Sequence, residues 1–184
     1  MKDITPHQLK QYLTQLPPAQ LVDDIVDLYK KFAAVKDYYQ NRMAPAAGQH
    51  LLEKYKAIIQ NEFFPTRGFG KLRLAAARKA ITEYQKVSDS IPDLADLMLF
   101  YVEMGVQFTK TYGDINGPFY DSMETMYERA AKFVAKHNLK EQFAFRFEQI
   151  VRKTSGMGWG FHDYLVQVYY EHFDDAETNS HDSK

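Results

Sequence analysis

Cysteine is absent from this chain, which excludes a disulfide scaffold and thiolate metal sites and suits a reducing cytosol. An excess of either charge is missing as well: 23 Lys and Arg stand against 24 Asp and Glu, for a net charge of −1. No global field therefore draws the chain to nucleic acid or to an anionic membrane. Long apolar runs are missing too. The richest, within 90–112, is interrupted by Asp96 and Glu103, so nothing reaches the ~20 residues of a membrane span. The first residues, MKDITPHQLK, hold no apolar core of a secretory signal. The expectation from these absences is a cytoplasmic protein with no membrane segment.

What the chain does have is rings: 13 Tyr and 13 Phe beside a single Trp. Hydrophobic content of 45% and charged content of 26% are ordinary globular values. A single domain of this length buries roughly 70% of its unfolded surface, and the rings read mainly as its core. Ser90 to Tyr112 organises the rest. At about 100° per residue, Asp93, Asp96, Glu103, Gln107 and Lys110 share one narrow stripe. Leu94, Leu97, Met98, Tyr101, Val102, Met104, Val106 and Phe108 cover nearly all the remaining circumference. So apolar a helix needs neighbours on several sides, which places it at the centre of an all-α domain.

Other helices follow from caps and periodicity. Thr5-Pro6-His7-Gln8 starts the first, with Thr as N-cap, Pro at the first helical position and Gln three residues after the cap. Leu16-Pro17-Pro18 stops it. A second runs to about Gln40 on a face of Leu21, Ile25, Leu28, Phe32, Val35 and Tyr39. Its early Asp23, Asp24 and Asp27 and later Lys30, Lys31 and Lys36 suit the helix dipole, which accounts for the acidic trio better than a metal site does. After a turn at Pro45 and Gly48, a third helix ends at Phe63-Phe64-Pro65. A fourth carries Leu74, Ala77, Ile81 and Tyr84, and Ser88-Asp89-Ser90 breaks it and caps the helix over 90–112. Gly113 ends that helix, Pro118 opens a sixth, Asn138 to Glu141 caps a seventh, and Leu165, Val166, Tyr169 and Phe173 define an eighth. The expected architecture is about eight antiparallel helices in a single bundle or hairpin array over 1–173. A frayed polar tail follows over 174–184. The helices pair at roughly 40-residue intervals, but internal likeness between pairs is faint.

Short connections make sequential helices antiparallel, so alternate junctions share a pole. Three junctions expected at one pole are distinctive: 64–73, 112–120 and 155–163. They hold seven of the nine glycines, Gly68, Gly70, Gly113, Gly117, Gly156, Gly158 and Gly160. Glycine permits positive φ and close backbone approach, and loops of this kind carry binding groups. A shared pocket there would draw cations from Arg67, Lys71 and Arg73, carboxylates from Asp114 and Asp163, and a group titrating near neutrality from His162. Tyr112, Tyr120 and Trp159 would wall it. The alternative is that the glycines fit tight corners, the rings staple them and the charges pair or are solvated.

Specific chemistry is not written in the chain. Arg67-Gly-Phe-Gly-Lys71 lacks the spacing and the following Ser or Thr of a phosphate loop. Asp114-Ile-Asn116-Gly117 fails as a calcium loop, because Phe119 and Thr125 stand where Gly and Glu belong. Metalloprotease, α/β-hydrolase and di-iron patterns are missing, and Glu124 and Glu128, one turn apart, read as helix-surface acids. No metal and no cofactor is expected. Taken as a set, EFFPTRGFGKLRL, YGDINGPFYDSME and TSGMGWGFHDYL resemble the recurring segments of a bacterial all-helical family known only as a domain of unknown function. The resemblance runs from about Leu9 to Phe173. It implies a soluble bacterial protein and brings no activity, cofactor or catalytic residue with it.

Two functions compete. One is a non-enzymatic interaction module presenting a groove or pole to another protein or to itself, which the abundance of Tyr suits. The other is a binder or enzyme for a small anionic, phosphate-bearing ligand met by Arg67, Lys71 and Arg73 at the pole. Nucleic-acid binding would rest on a basic strip of Arg67, Lys71, Arg73, Arg78 and Lys79, and the neutral net charge argues against it.

Overall fold

The computed structural model describes residues 3–44 and 46–173. The polar tail expected over 174–184, and Pro45 of the expected turn, lie outside them. Among the described residues there are nine α-helices and no strand. They fall into two compact units, Met1–Gly48 and Gln49–Lys184.

The first unit holds α1 (Pro6–Leu13), α2 (Pro18–Lys31) and α3 (Ala33–Met43). Thr5 forms the full capping box with Gln8: the Thr5 hydroxyl accepts from the Gln8 N–H, and the Gln8 side chain accepts from the Thr5 N–H. The single helix expected through Gln40 is two. Phe32 adopts an extended backbone at φ −122°, ψ 119° and separates α2 from α3. No proline or glycine marks that break, so the apolar stripe read straight through it. None of the three helices contains a buried residue.

The second unit begins within α4 (Ala46–Phe63) and continues through α5 (Leu74–Val87), α6 (Ile91–Tyr112), α7 (Gly117–Lys136), α8 (Lys140–Lys153) and α9 (Phe161–Phe173). The helix α4 starts at Ala46, so Gly48 is helical rather than part of a turn. Ser90 caps α6 by accepting from the Asp93 N–H. The Asp93 carboxylate does not reach back as a capping box would; it accepts from the Tyr84 hydroxyl at 3.1 Å. Burial among these groups pushes the Tyr84 phenol up to about 12.

Leu94, Leu97, Met98, Val102, Val106 and Phe108 of α6 are all buried. This helix packs against α5, α7 and α8 and meets α4 through Phe63, whose ring lies 5.7 Å from Tyr101. Gly105 brings α6 close to α7; a Cβ there would fall 2.1 Å from the Met123 sulfur. The polar stripe of α6 is answered from two sides. Arg146 of α8 donates to the Glu103 carboxylate at 2.7 and 2.8 Å and also to Asp96. Lys56 of α4 lies 2.6 Å from Asp96.

Candidate functional site

The three glycine-rich junctions close by different local means. Phe63 ends α4, and the Leu72 N–H returns to the Glu62 carbonyl at 2.9 Å. Gly70 crosses the helix end so closely that a Cβ would lie 2.1 Å from the Phe63 carbonyl oxygen. Arg73 clamps the corner from outside: its Nε and Nη2 donate to the two Glu62 carboxylate oxygens at 2.9 and 2.7 Å. Glu62 is buried, and the Arg73 hydrogen bonds hold its carboxyl below the usual range, with Lys71 adding a weaker pull.

At the second junction Gly113 takes φ +88° just beyond α6, a conformation that favours glycine. Asn116 then caps α7 by accepting from the Phe119 N–H at 3.0 Å. Between them, the Asp114 carboxylate accepts from the Tyr120 hydroxyl at 2.7 Å and from the Gly158 N–H at 3.4 Å. That second bond ties the loop at 112–120 to the loop at 155–163. Gly158 is needed for it, since a Cβ there would sit 2.7 Å from an Asp114 carboxylate oxygen. Burial, with the Asp114 carboxylate helping, pushes the Tyr120 phenol up.

At the third junction buried Thr154 donates to the Val151 carbonyl at 2.7 Å, and its hydroxyl meets His162 Nδ1 at 2.9 Å. Trp159 stands at φ +65°. Its ring passes over Gly117, where a Cβ would lie 3.6 Å away.

A run of rings joins all three. Phe69 lies 4.7 Å from Tyr112 and 5.4 Å from Phe108. Phe108 meets Phe119 at 6.4 Å, Phe119 meets Tyr120 at 5.3 Å, and Tyr120 meets Phe161 at 5.0 Å. The loops predicted to gather therefore do touch one another, through rings and through Asp114.

The candidate residues divide into two groups. Arg73, Asp114, Tyr120 and His162 are engaged in closing the corners. Arg67, Lys71, Tyr112, Trp159 and Asp163 are exposed. Phe69 was not singled out by the sequence reading, yet it is 60% exposed beside Tyr112 at 49%, and Trp159 is 64% exposed. The Arg146 bridge between Asp96 and Glu103 was also missed. A signal for it exists: Arg146 sits next to the Phe143, Phe147 and Ile150 face of α8, where a cation needs an acidic partner.

Open grooves lie beside the loops. One of about 380 Å³ runs between α6 and α8, lined by Met104, Val106 and Ile150 and by the cations Lys110 and Lys153. A shallower one of about 510 Å³ borders the first junction at Ile58, Glu62, Phe64 and Thr66. No described helix is long and apolar enough to cross a membrane.

Comparison with known proteins gives one match. Residues 4–174 match the family described as "Family of unknown function (DUF6155)", which agrees with the resemblance carried by the three glycine-rich segments. No curated protein and no solved structure matches this chain. With nearly its whole length covered, the chain belongs to the DUF6155 family.

Proposed function

We propose that this protein is a helical interaction module that presents the pole of loops 64–73, 112–120 and 155–163 to a protein partner. The supporting observation is Trp159. A bulky residue at φ +65° costs on the order of 1 kcal/mol or more, and Trp159 recovers little of that by burial because most of its surface is in water. An exposed aromatic held at such a cost fits a contact made with something outside the chain. Phe69 and Tyr112 extend the same kind of surface, and aromatic side chains anchor protein interfaces. Beneath them the paired polar groups and packed rings supply a rigid base, which lowers the ordering cost of binding.

A second reading keeps the pole and changes the ligand to a small phosphate-bearing anion. Arg67 and Lys71 support it, as exposed cations on the loop that carries Phe69. Two of the other expected cations are engaged elsewhere: Arg73 with Glu62, and Arg78 of the basic strip with Ser122. One experiment compares the two. Peptides selected from a displayed library against the wild-type chain should lose binding at least about tenfold in Trp159→Ala and Phe69→Ala, with Arg67→Ala close to wild type. A thermal shift with phosphorylated metabolites, abolished in Arg67→Ala, would favour the anion instead. Selected peptides that bind the Trp159 and Phe69 variants as well as wild type would contradict the interaction reading.

A further inference from the structure

The helix α2 packs on α3 and carries an apolar face that the described residues of its unit leave partly open. Val22, Ile25, Val26, Leu28 and Phe32 are between 41 and 58% exposed. A unit of fewer than 50 residues with no buried side chain among its described residues lacks the interior that holds small domains folded. Its charges say what could cover it. Asp23 and Asp24 lie in the first half of α2, Asp27 just past its middle, and Lys30 and Lys31 in its last turn. Asp24 and Lys31 are seven residues apart, two helical turns, and so flank the same edge of the apolar stripe. If a second α2 runs antiparallel across a two-fold axis, each Asp24 faces the other copy's Lys31. A parallel pairing would set like charges side by side. The pattern is thus complementary to itself in one orientation only.

We propose that α2 is a self-association surface, occupied by the α2 helix of a second copy of this chain in antiparallel, two-fold register. Lys31 is available for the exchange. Its contact with Asp27, 3.4 Å long with both side chains mostly in water, is weak enough to be replaced. A helix of 14 residues gives a contact about 21 Å long, small for an interface, so a micromolar dissociation constant is the expected scale. This surface uses none of the residues of the aromatic pole, and either proposal can fail without the other.

Sedimentation of the full chain from about 1 to 200 μM tests the proposal. Wild type should pass from monomer to dimer in that range. Ile25→Asp should stay monomeric with its helical circular dichroism unchanged. Because that variant could instead disturb the unit itself, exposed charges supply the second test. Asp24→Lys alone and Lys31→Asp alone should each weaken the dimer at least about tenfold, and the double reversal Asp24→Lys with Lys31→Asp should restore it. A wild-type monomer at every concentration would overturn the proposal. So would a dimer indifferent to both single reversals, or single-variant defects that the double reversal leaves unrepaired.

Discussion

The two units of this chain use the same ingredients with opposite results. In α6 an apolar helix is enclosed, and the acidic groups on its flank are met from other elements: Asp96 and Glu103 by Arg146, Asp96 also by Lys56, and Asp93 by the Tyr84 hydroxyl. In α2 the apolar side is partly open, and the acidic residue Asp27 is met by Lys31 one turn along the same helix. Periodicity makes a helix in both places. Energy comes from what covers the face, so the α4–α9 unit should carry most of the stability, and α1–α3 should gain theirs from association.

The largest expected effect breaks this comparison most easily. Phe108 is fully buried among Phe63, Phe69, Tyr112 and Phe119, and Phe108→Ala should cost about 4 kcal/mol in urea unfolding. The matched truncation Leu28→Ala in α2, at low protein concentration, should cost less than about 1 kcal/mol. Equal costs would mean that the first unit has a core after all. Charges sharpen the point at smaller scale. Arg146→Met removes the shared partner of two half-buried carboxylates and should cost about 2 kcal/mol, below the figure for fully buried pairs. Lys31→Met, measured on the monomer, should change stability by no more than about 0.5 kcal/mol.

The next effect depends on pH. Arg73 holds Glu62 below its ordinary value of 4.5, so the stability this carboxylate contributes is present above that value. It is lost as pH falls through the lowered one. In Arg73→Met the buried Glu62 has no such partner, and the variant should be less stable than wild type at neutral pH. The gap should shrink as the pH falls below 4.5 and on through the lowered value, as Glu62 takes up a proton first in the variant and then in wild type. Urea unfolding at several pH values reads this directly, and a gap independent of pH would contradict the assignment.

Much of this was legible in the residues. The helix over 90–112 announced itself through one narrow polar stripe, and Thr5 and Ser90 cap helices because short polar side chains reach the first free N–H groups. Other features were not, because they depend on distances across the chain. Asp114 looks like a loop carboxylate open to ligands until Tyr120 and Gly158 are seen to donate to it. Arg73 looks like a free cation until Glu62, eleven residues earlier, is found beneath it. The break at Phe32 left no local mark at all. The three glycine-rich loops do meet, through rings and Asp114, but sequence could not separate the residues that build the corner from Phe69, Tyr112 and Trp159, which face water.

That separation rests most heavily on Trp159, and unfolding of Trp159→Gly followed by circular dichroism tests it. If the indole is retained for contact with a partner, glycine relieves the positive φ, gives up little buried surface, and leaves stability within about 1 kcal/mol of wild type. A loss of more than about 2 kcal/mol would show that Trp159 is a structural staple over Gly117, and would contradict the account.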